Sequence, residues 1–211
     1  MKVLFLDIDG VLNSKQEVIW HRRIRMNRVK SFFRNLAYSF LKVLRTIHHK
    51  LAPQGNNLGW ELTNLSLFYL TDHCDFDPIA CSNIQLLLDE VPDLRIVVSS
   101  TWRGWGLKWC KRILGRNGID PDKVIDITGR EAGQRGVQCT AWLERAKLAG
   151  RSIDGFVAID DDGDFECMKE NLVQTDSHVG FTIRNAYKAA TVLGLKMLRN
   201  HTLFDEPKSY L

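Results

Sequence analysis

The sequence predicts an α/β fold, a Rossmann-like doubly wound parallel sheet with a basic, largely helical insertion after the first strand. Three observations carry that prediction. Short apolar runs of strand length alternate with amphipathic runs of helix length from residue 76 onward. Three of the apolar runs end in acidic or hydroxyl residues, at the edge where sheets of this kind gather their ligands. Between the first run and the rest lies a segment of quite different, basic composition.

Lys2 to Ile8 is a short β-rich apolar run that ends directly in Asp7, Asp9 and Gly10. From about Ser14 to Asp75 the pattern turns basic and helical, breaks at the Gly/Asn-rich stretch Gln54 to Gly59, and resumes as a β-like run from Trp60 to Leu70. Pro78 opens a helix to about Glu90, since proline suits the first helical turn. Leu94 to Val98, apolar but for Arg95, is a strand that ends in Ser99, Ser100 and Thr101. Trp105 to Arg116 reads as a helix closed by Asn117-Gly118, Val124 to Ile127 as a strand, and Val137 to Ala149 as a helix closed by Gly150. Gly155 to Ile159 is a strand running into Asp160, Asp161 and Asp162, and Leu172 to Gln174 with an amphipathic helix from about Asn185 to Arg199 finish the pattern. The expected division is a core of residues 1–13 and 76–211, with 14–75 an inserted, cap-like segment.

A length of 211 residues suits one α/β domain plus an insertion, and 45% hydrophobic with 26% charged residues excludes global disorder. No stretch approaches the roughly 18 to 20 apolar residues that span a bilayer, and the opening MKVLFLDIDGV carries two acids in its apolar run, so neither a span nor a signal peptide is expected. Cys74, Cys81, Cys110, Cys139 and Cys167 form no CxxC pair, which fits reduced thiols in a cytoplasmic protein better than a zinc or redox site. The net charge of +4 is uneven: residues 15–50 hold ten Lys/Arg against the single acid Glu17, a charge of +9 that leaves −5 for the remainder. That segment is the part expected to meet an anionic partner.

Asp7 and Asp9 stand two apart at a strand end, where the period of two sends both side chains the same way. Clustered acids repel unless a cation joins them, and a hard, oxygen-preferring divalent ion such as Mg²⁺ answers that repulsion, with Asp160 and Asp161 as further donors. One carboxylate can then attack a phosphate while the other hands a proton to the leaving oxygen. The hydroxyl of Ser99 and nearby amides can hold phosphoryl oxygens, and Arg135 or Arg130 can balance the remaining charge.

These segments carry a family resemblance. LFLDIDGVLN, IVVSSTWR and FVAIDDDGDF resemble the first, second and fourth motifs of the haloacid dehalogenase (HAD) superfamily, in the same order and strand context. The resemblance implies a HAD-like fold with Asp7 as nucleophile, Asp9 as acid and base, Ser99 as the phosphate-binding hydroxyl with Ser100 as its neighbour, and Asp160 and Asp161 as the acidic metal motif, Asp161 being the favoured direct ligand. Aspartate at the second acidic position is similar to the phosphatase and phosphotransferase branches rather than to dehalogenases. A narrower resemblance, to the HAD domain of Swiss Army Knife RNA repair proteins, runs through FDPIACSNIQLLLDE, SSTWR, Arg135-Gly136 to Trp142-Leu143, IDDD and LVQTDSHVGFT, and covers roughly residues 1–13 and 76–195. No lysine precedes the fourth motif's strand, so Arg135 is assigned the third motif's cation, with Arg130 in reserve.

The expected activity is therefore Mg²⁺-dependent phosphomonoester hydrolysis on a nucleotide or nucleic-acid end. A small-metabolite phosphatase and a non-catalytic polyanion-binding module are its alternatives. Simple strand-end turns for the acids, and helix capping for Ser99 and Ser100, are the plain structural readings. The DDDGD run departs from a calcium loop in the place of its glycine and in lacking the closing Glu. Trp102, Trp105 and Trp109 stand at helical spacing and read first as packing residues, second as a base-stacking platform, while His48-His49 reads as a solvated pair. The basic segment 15–50 carries an apolar stripe from Val29 to Ile47, which fits a cap helix with a charged outer face, a guide for RNA or DNA ends, or contact with a membrane surface.

Overall fold

Five short apolar runs pair side by side in the computed structural model, whose described residues are 1–14, 76–129 and 133–195. The expectations placed on 15–75, on Arg130 and on the chain beyond residue 195 lie outside these. The strands are β1 (Lys2–Leu6), β2 (Leu94–Val98), β3 (Val124–Ile127), β4 (Gly155–Asp160) and β5 (Leu172–Gln174). All pair in parallel, in the order β3-β2-β1-β4-β5. The order runs one way from β1 to β3 and the other way from β4 to β5, so it reverses between β1 and β4, and there a crevice opens at the strands' carboxyl ends.

The runs are apolar on both faces because both are covered. Val3, Phe5, Val97 and Ala158 pack against Cys139, Trp142 and Ala146 together with Phe165 and Met168. Phe5 meets Trp142 edge-on at 5.7 Å between ring centroids. The alternate side chains, Leu4, Leu6, Ile96, Val98, Val157 and Ile159, are equally shut off from solvent on the other face.

Among the described residues three α-helices connect strands, α1 (Pro78–Glu90), α2 (Leu107–Arg116) and α3 (Arg135–Leu148), and a fourth, α4 (Ile183–Val192), follows β5. The first falls where the sequence places it, with Asp77 accepting from the Ile79 amide at 2.8 Å and Pro78 in the first turn. The second begins later than Trp105. Residues Thr101–Trp105 form a 3-10 turn, and Gly106, at φ 89°, breaks the helical path before Leu107. The third begins earlier than Val137, because Asp164 takes both the Arg135 amide on its carboxylate (2.9 Å) and the Gly136 amide on its carbonyl (3.1 Å). The last helix is shifted and shorter than the expected span to Arg199: a Thr182–Asn185 capping box starts it, and Leu193 with Gly194 at φ 82° ends it.

The chain returns from residues 15–75 beside the point where it left. The Asp77 amide donates to the Leu12 carbonyl at 2.8 Å, and the Phe76 amide to Asn117 Oδ1 at 2.9 Å. No helix among the described residues is long and apolar enough to cross a membrane. Cys81, Cys110, Cys139 and Cys167 are free thiols, and burial pushes the first two up to about 12.

Candidate active site

The hydrogen-bond ladder of the sheet runs one residue beyond β1. The Asp7 amide donates to the Ile159 carbonyl at 3.0 Å and the Ser99 amide to the Leu6 carbonyl at 2.9 Å. Since Leu6 is in register with both Val98 and Ile159, Asp7, Ser99 and Asp160 stand at one level across three strands. Asp7 and Asp160 flank the point where the strand order reverses.

After Asp7 the chain curls over itself, with the Ile8 carbonyl accepting from the amides of Val11, Leu12 and Asn13. Gly10 sits in this curl at φ 74°, and a Cβ there would run into the Asp161 carboxylate. Glycine thus serves two purposes at once, a left-handed turn and room for an acid arriving from β4. The end of β5 fastens the arrangement: Thr175 Oγ1 donates to the Gly10 carbonyl, Gln174 Nε2 to the Asp161 carbonyl, both at 3.0 Å, and the Thr175 amide to the Asp160 carbonyl at 2.9 Å.

The result is a cluster of Asp7, Asp160 and Asp161 in which one carboxylate oxygen from each lies within 4.8 Å of the other two. One Asp160 oxygen accepts from the Asp162 amide at 3.0 Å; the other, Oδ2, is buried without a hydrogen-bond partner. Burial first, and the Asp7 charge second, push the Asp160 carboxyl up to about 7. Burial likewise raises Asp7, against the pull of Arg135, the Ser100 hydroxyl and the Ile8 amide. Three crowded oxygen donors, one with an unanswered lone pair, suit a hard divalent cation.

Arg135 is the cation that the protein itself supplies. From the first turn of α3 its Nη1 donates to Asp7 Oδ1 at 3.0 Å and to the Ser99 carbonyl, and lies 3.7 Å from Asp160 Oδ2. Burial works against its charge, but Asp160, Asp7 and Asp164 outweigh that and hold the guanidinium above its usual value. Gly136 lets the helix start this close to the 164–165 backbone, since a Cβ would crowd Phe165 Cα and Cys167 Sγ.

The two serines divide their tasks. Ser100 caps the 3-10 turn through the Trp102 amide and bonds Asp7. The Ser99 hydroxyl is buried without a partner, while its carbonyl is gripped by Arg135 and Arg103. Asp9, expected among the metal donors, is not in the cluster of three: its carboxylate is exposed, accepting from Trp102 Nε1 at 2.8 Å and from Asn13 Nδ2 at 3.4 Å.

The structure brings together Asp7, Asp160, Asp161, Ser99, Ser100 and Arg135, which the sequence singled out, and adds Trp102, Asp164, Thr175 and Arg103, which it did not propose for the site. Asp164 had a signal in the sequence, as the last acid of the DDDGD run. Trp102, in SSTWR, had only its nearness to the second strand's end. A family model described as the HAD domain in Swiss Army Knife RNA repair proteins matches residues 3–186. No curated protein and no solved structure matches the chain.

Proposed function

Because the chain belongs to that family, and with it to the HAD superfamily, we propose that it is a Mg²⁺-dependent phosphomonoester hydrolase that works through an aspartyl-phosphate on Asp7 and acts on a nucleotide or nucleic-acid terminal phosphate. The family supports a phosphatase-type hydrolase in an RNA-repair setting in general. The observation that carries the finer reading is the meeting of Asp7, Asp160 and Asp161 at the sheet's reversal point, with Arg135 on Asp7.

Asp7, Asp160 and Asp161 are the residues that would hold Mg²⁺, which when bound supplies positive charge to the phosphoryl oxygens and to the crowded acids. Asp7 attacks phosphorus, forming the carboxyl–phosphorus bond as the ester oxygen leaves. Asp9 gives that oxygen its proton, then takes one from the water that hydrolyses the aspartyl-phosphate and restores Asp7. Its place outside the acidic cluster suits proton transfer: it is solvent-facing and steered by Trp102 and Asn13. Arg135 draws the Asp7 carboxyl down against the burial that raises it and, with the hydroxyls of Ser99 and Ser100, receives the transferred group's charge. In the same proposal residues 14–75 form a cap-like insertion whose basic part, 15–50, draws in RNA or DNA ends, and the free thiols suit a reducing, cytoplasmic setting.

The test is phosphate release from nucleotides, small phosphomonoesters and 3′- or 5′-phosphorylated oligonucleotides, with Mg²⁺ or with EDTA, for wild type and Asp7→Asn. Release that needs Mg²⁺ and vanishes in Asp7→Asn is the expected result. Preference for small metabolites would overturn the substrate class, and absence of release from a folded, Mg²⁺-loaded protein would overturn the enzymatic reading in favour of a polyanion-binding module.

A further inference from the structure

From Leu94 to Ile119 the chain contains no acidic residue, yet from Thr101 onward it carries Arg103, Lys108, Lys111, Arg112 and Arg116, interleaved with Trp102, Trp105 and Trp109. This second basic stretch is separate from residues 15–50 and starts inside the active site. Trp102 donates to Asp9 at 2.8 Å, its ring lies 5.3 Å from that of Trp109, and Trp109 in turn is stacked with Trp105 at 5.7 Å and 27°. The three indoles thus form a ladder leading outward from the proton-transfer residue.

The outer end of the ladder is open. Trp105 is 39% exposed, unusual for a tryptophan, and one face of its ring is occupied by Trp109. Lys108, Arg112 and Arg116 are all exposed and stand four apart, so they line one face of α2, the helix that begins two residues after Trp105. The apolar residues Cys110, Ile113 and Leu114 point the other way into the core. An exposed aromatic ring followed by a file of cations on one helical face is what a flexible polyanion with flat bases requires: rings to stack upon and charge to follow its backbone.

We propose that the Trp105–Arg116 face binds the nucleotides adjoining the scissile phosphate of a single-stranded nucleic acid, with a base stacked on Trp105 and backbone phosphates along Lys108, Arg112 and Arg116. The proposal rests on the phosphohydrolase reading above for its choice of substrate end. It assigns to α2 the recognition of the chain next to the terminal phosphate, so that oligonucleotides gain over mononucleotides by contacts outside the acidic cluster.

Two measurements on the full chain test it. The first is the ratio of kcat/KM for a phosphorylated oligonucleotide to that for p-nitrophenyl phosphate, compared among wild type, Trp105→Ala and the surface variant Lys108→Gln/Arg112→Gln/Arg116→Gln. The second is binding of a fluorescent single-stranded oligonucleotide to the same proteins at several salt concentrations. Trp105→Ala is expected to lower both the ratio and the affinity about tenfold. The triple substitution is expected to lower the salt slope, d log K/d log[salt], by roughly two. An unchanged ratio together with unchanged binding would overturn the proposal while leaving hydrolysis intact. If wild type releases no phosphate at all, the hydrolase reading fails alone, and the binding arm still decides whether this face takes the oligonucleotide. Should Trp105→Ala not fold, the triple variant carries both arms.

Discussion

Trp102 Nε1 donates a 2.8 Å hydrogen bond to Asp9 Oδ2 across 93 residues of sequence. An indole has a single donor and no acceptor, so the bond holds Oδ2 firmly, while Oδ1 accepts the longer 3.4 Å bond from Asn13 Nδ2. Phe76 and Trp109 clamp the ring, at 5.5 and 5.3 Å between centroids. Trp102→Phe keeps the clamp and removes only the donor. Steady-state kinetics should show kcat lowered by about ten- to a hundredfold with KM little changed. In an Asp9→Asn background the same substitution should add almost nothing, and a full additional loss there would refute a role through Asp9.

Gly10→Ala joins two conflicts, a side chain at φ 74° and a Cβ in the space of the Asp161 carboxylate. Denaturant unfolding should show a loss of about 1–3 kcal/mol. The rise in melting temperature on adding Mg²⁺ should shrink sharply, because relieving the clash displaces a donor.

The raised carboxyl of Asp160 sets a pH dependence with a definite sign. Unfolded, the group loses its proton near 3.8; folded and without metal it keeps it until about 7. Between those values the folded state binds more protons. Its contribution to stability is therefore present below 3.8 and lost as pH rises to about 7, at up to about 1.4 kcal/mol per pH unit. On the proposed reading Mg²⁺ displaces that proton, so it should stabilise strongly at pH 8 and weakly at pH 5.5. Thermal melts across pH with and without Mg²⁺ check both statements, and Asp160→Asn should flatten them.

Arg135→Met leaves Asp7 and Asp160 facing each other without the guanidinium, whose side chain is only 13% exposed. Metal-free stability at pH 8 should drop by roughly 3 kcal/mol, with part of it restored by Mg²⁺. One nitrogen, Nη1, meets Asp7, Asp160 and the Ser99 carbonyl, so Arg135→Lys, which keeps the charge on a shorter side chain, should recover stability better than activity.

Much of this was legible in the chain because burial on two faces writes a plain signal. Leu94–Val98 falls where the sequence puts it, and the acids and hydroxyls that follow β1, β2 and β4 are where polarity abruptly returns. Helix starts were less legible, since they depend on tertiary partners: Asp164 decides where α3 begins, and Gly106 defers α2. Arg135 could be chosen from its place near a helix start, but its three oxygen partners come from other strands. Trp102 was passed over for a physical reason, because spacing reports which side of a helix a ring lies on and is silent about where its one N–H points.

The bond from the Asp77 amide to the Leu12 carbonyl has a consequence for how the molecule can be taken apart. It stitches the sheet's first loop to the first helix before residue 15 and after residue 75, so the seam is closed by the body's own backbone. A version with residues 15–75 exchanged for a few glycines should still melt in a single cooperative step. Such a result would make that stretch a graft on a self-supporting rootstock, whose changes in sequence leave the folding of the sheet intact.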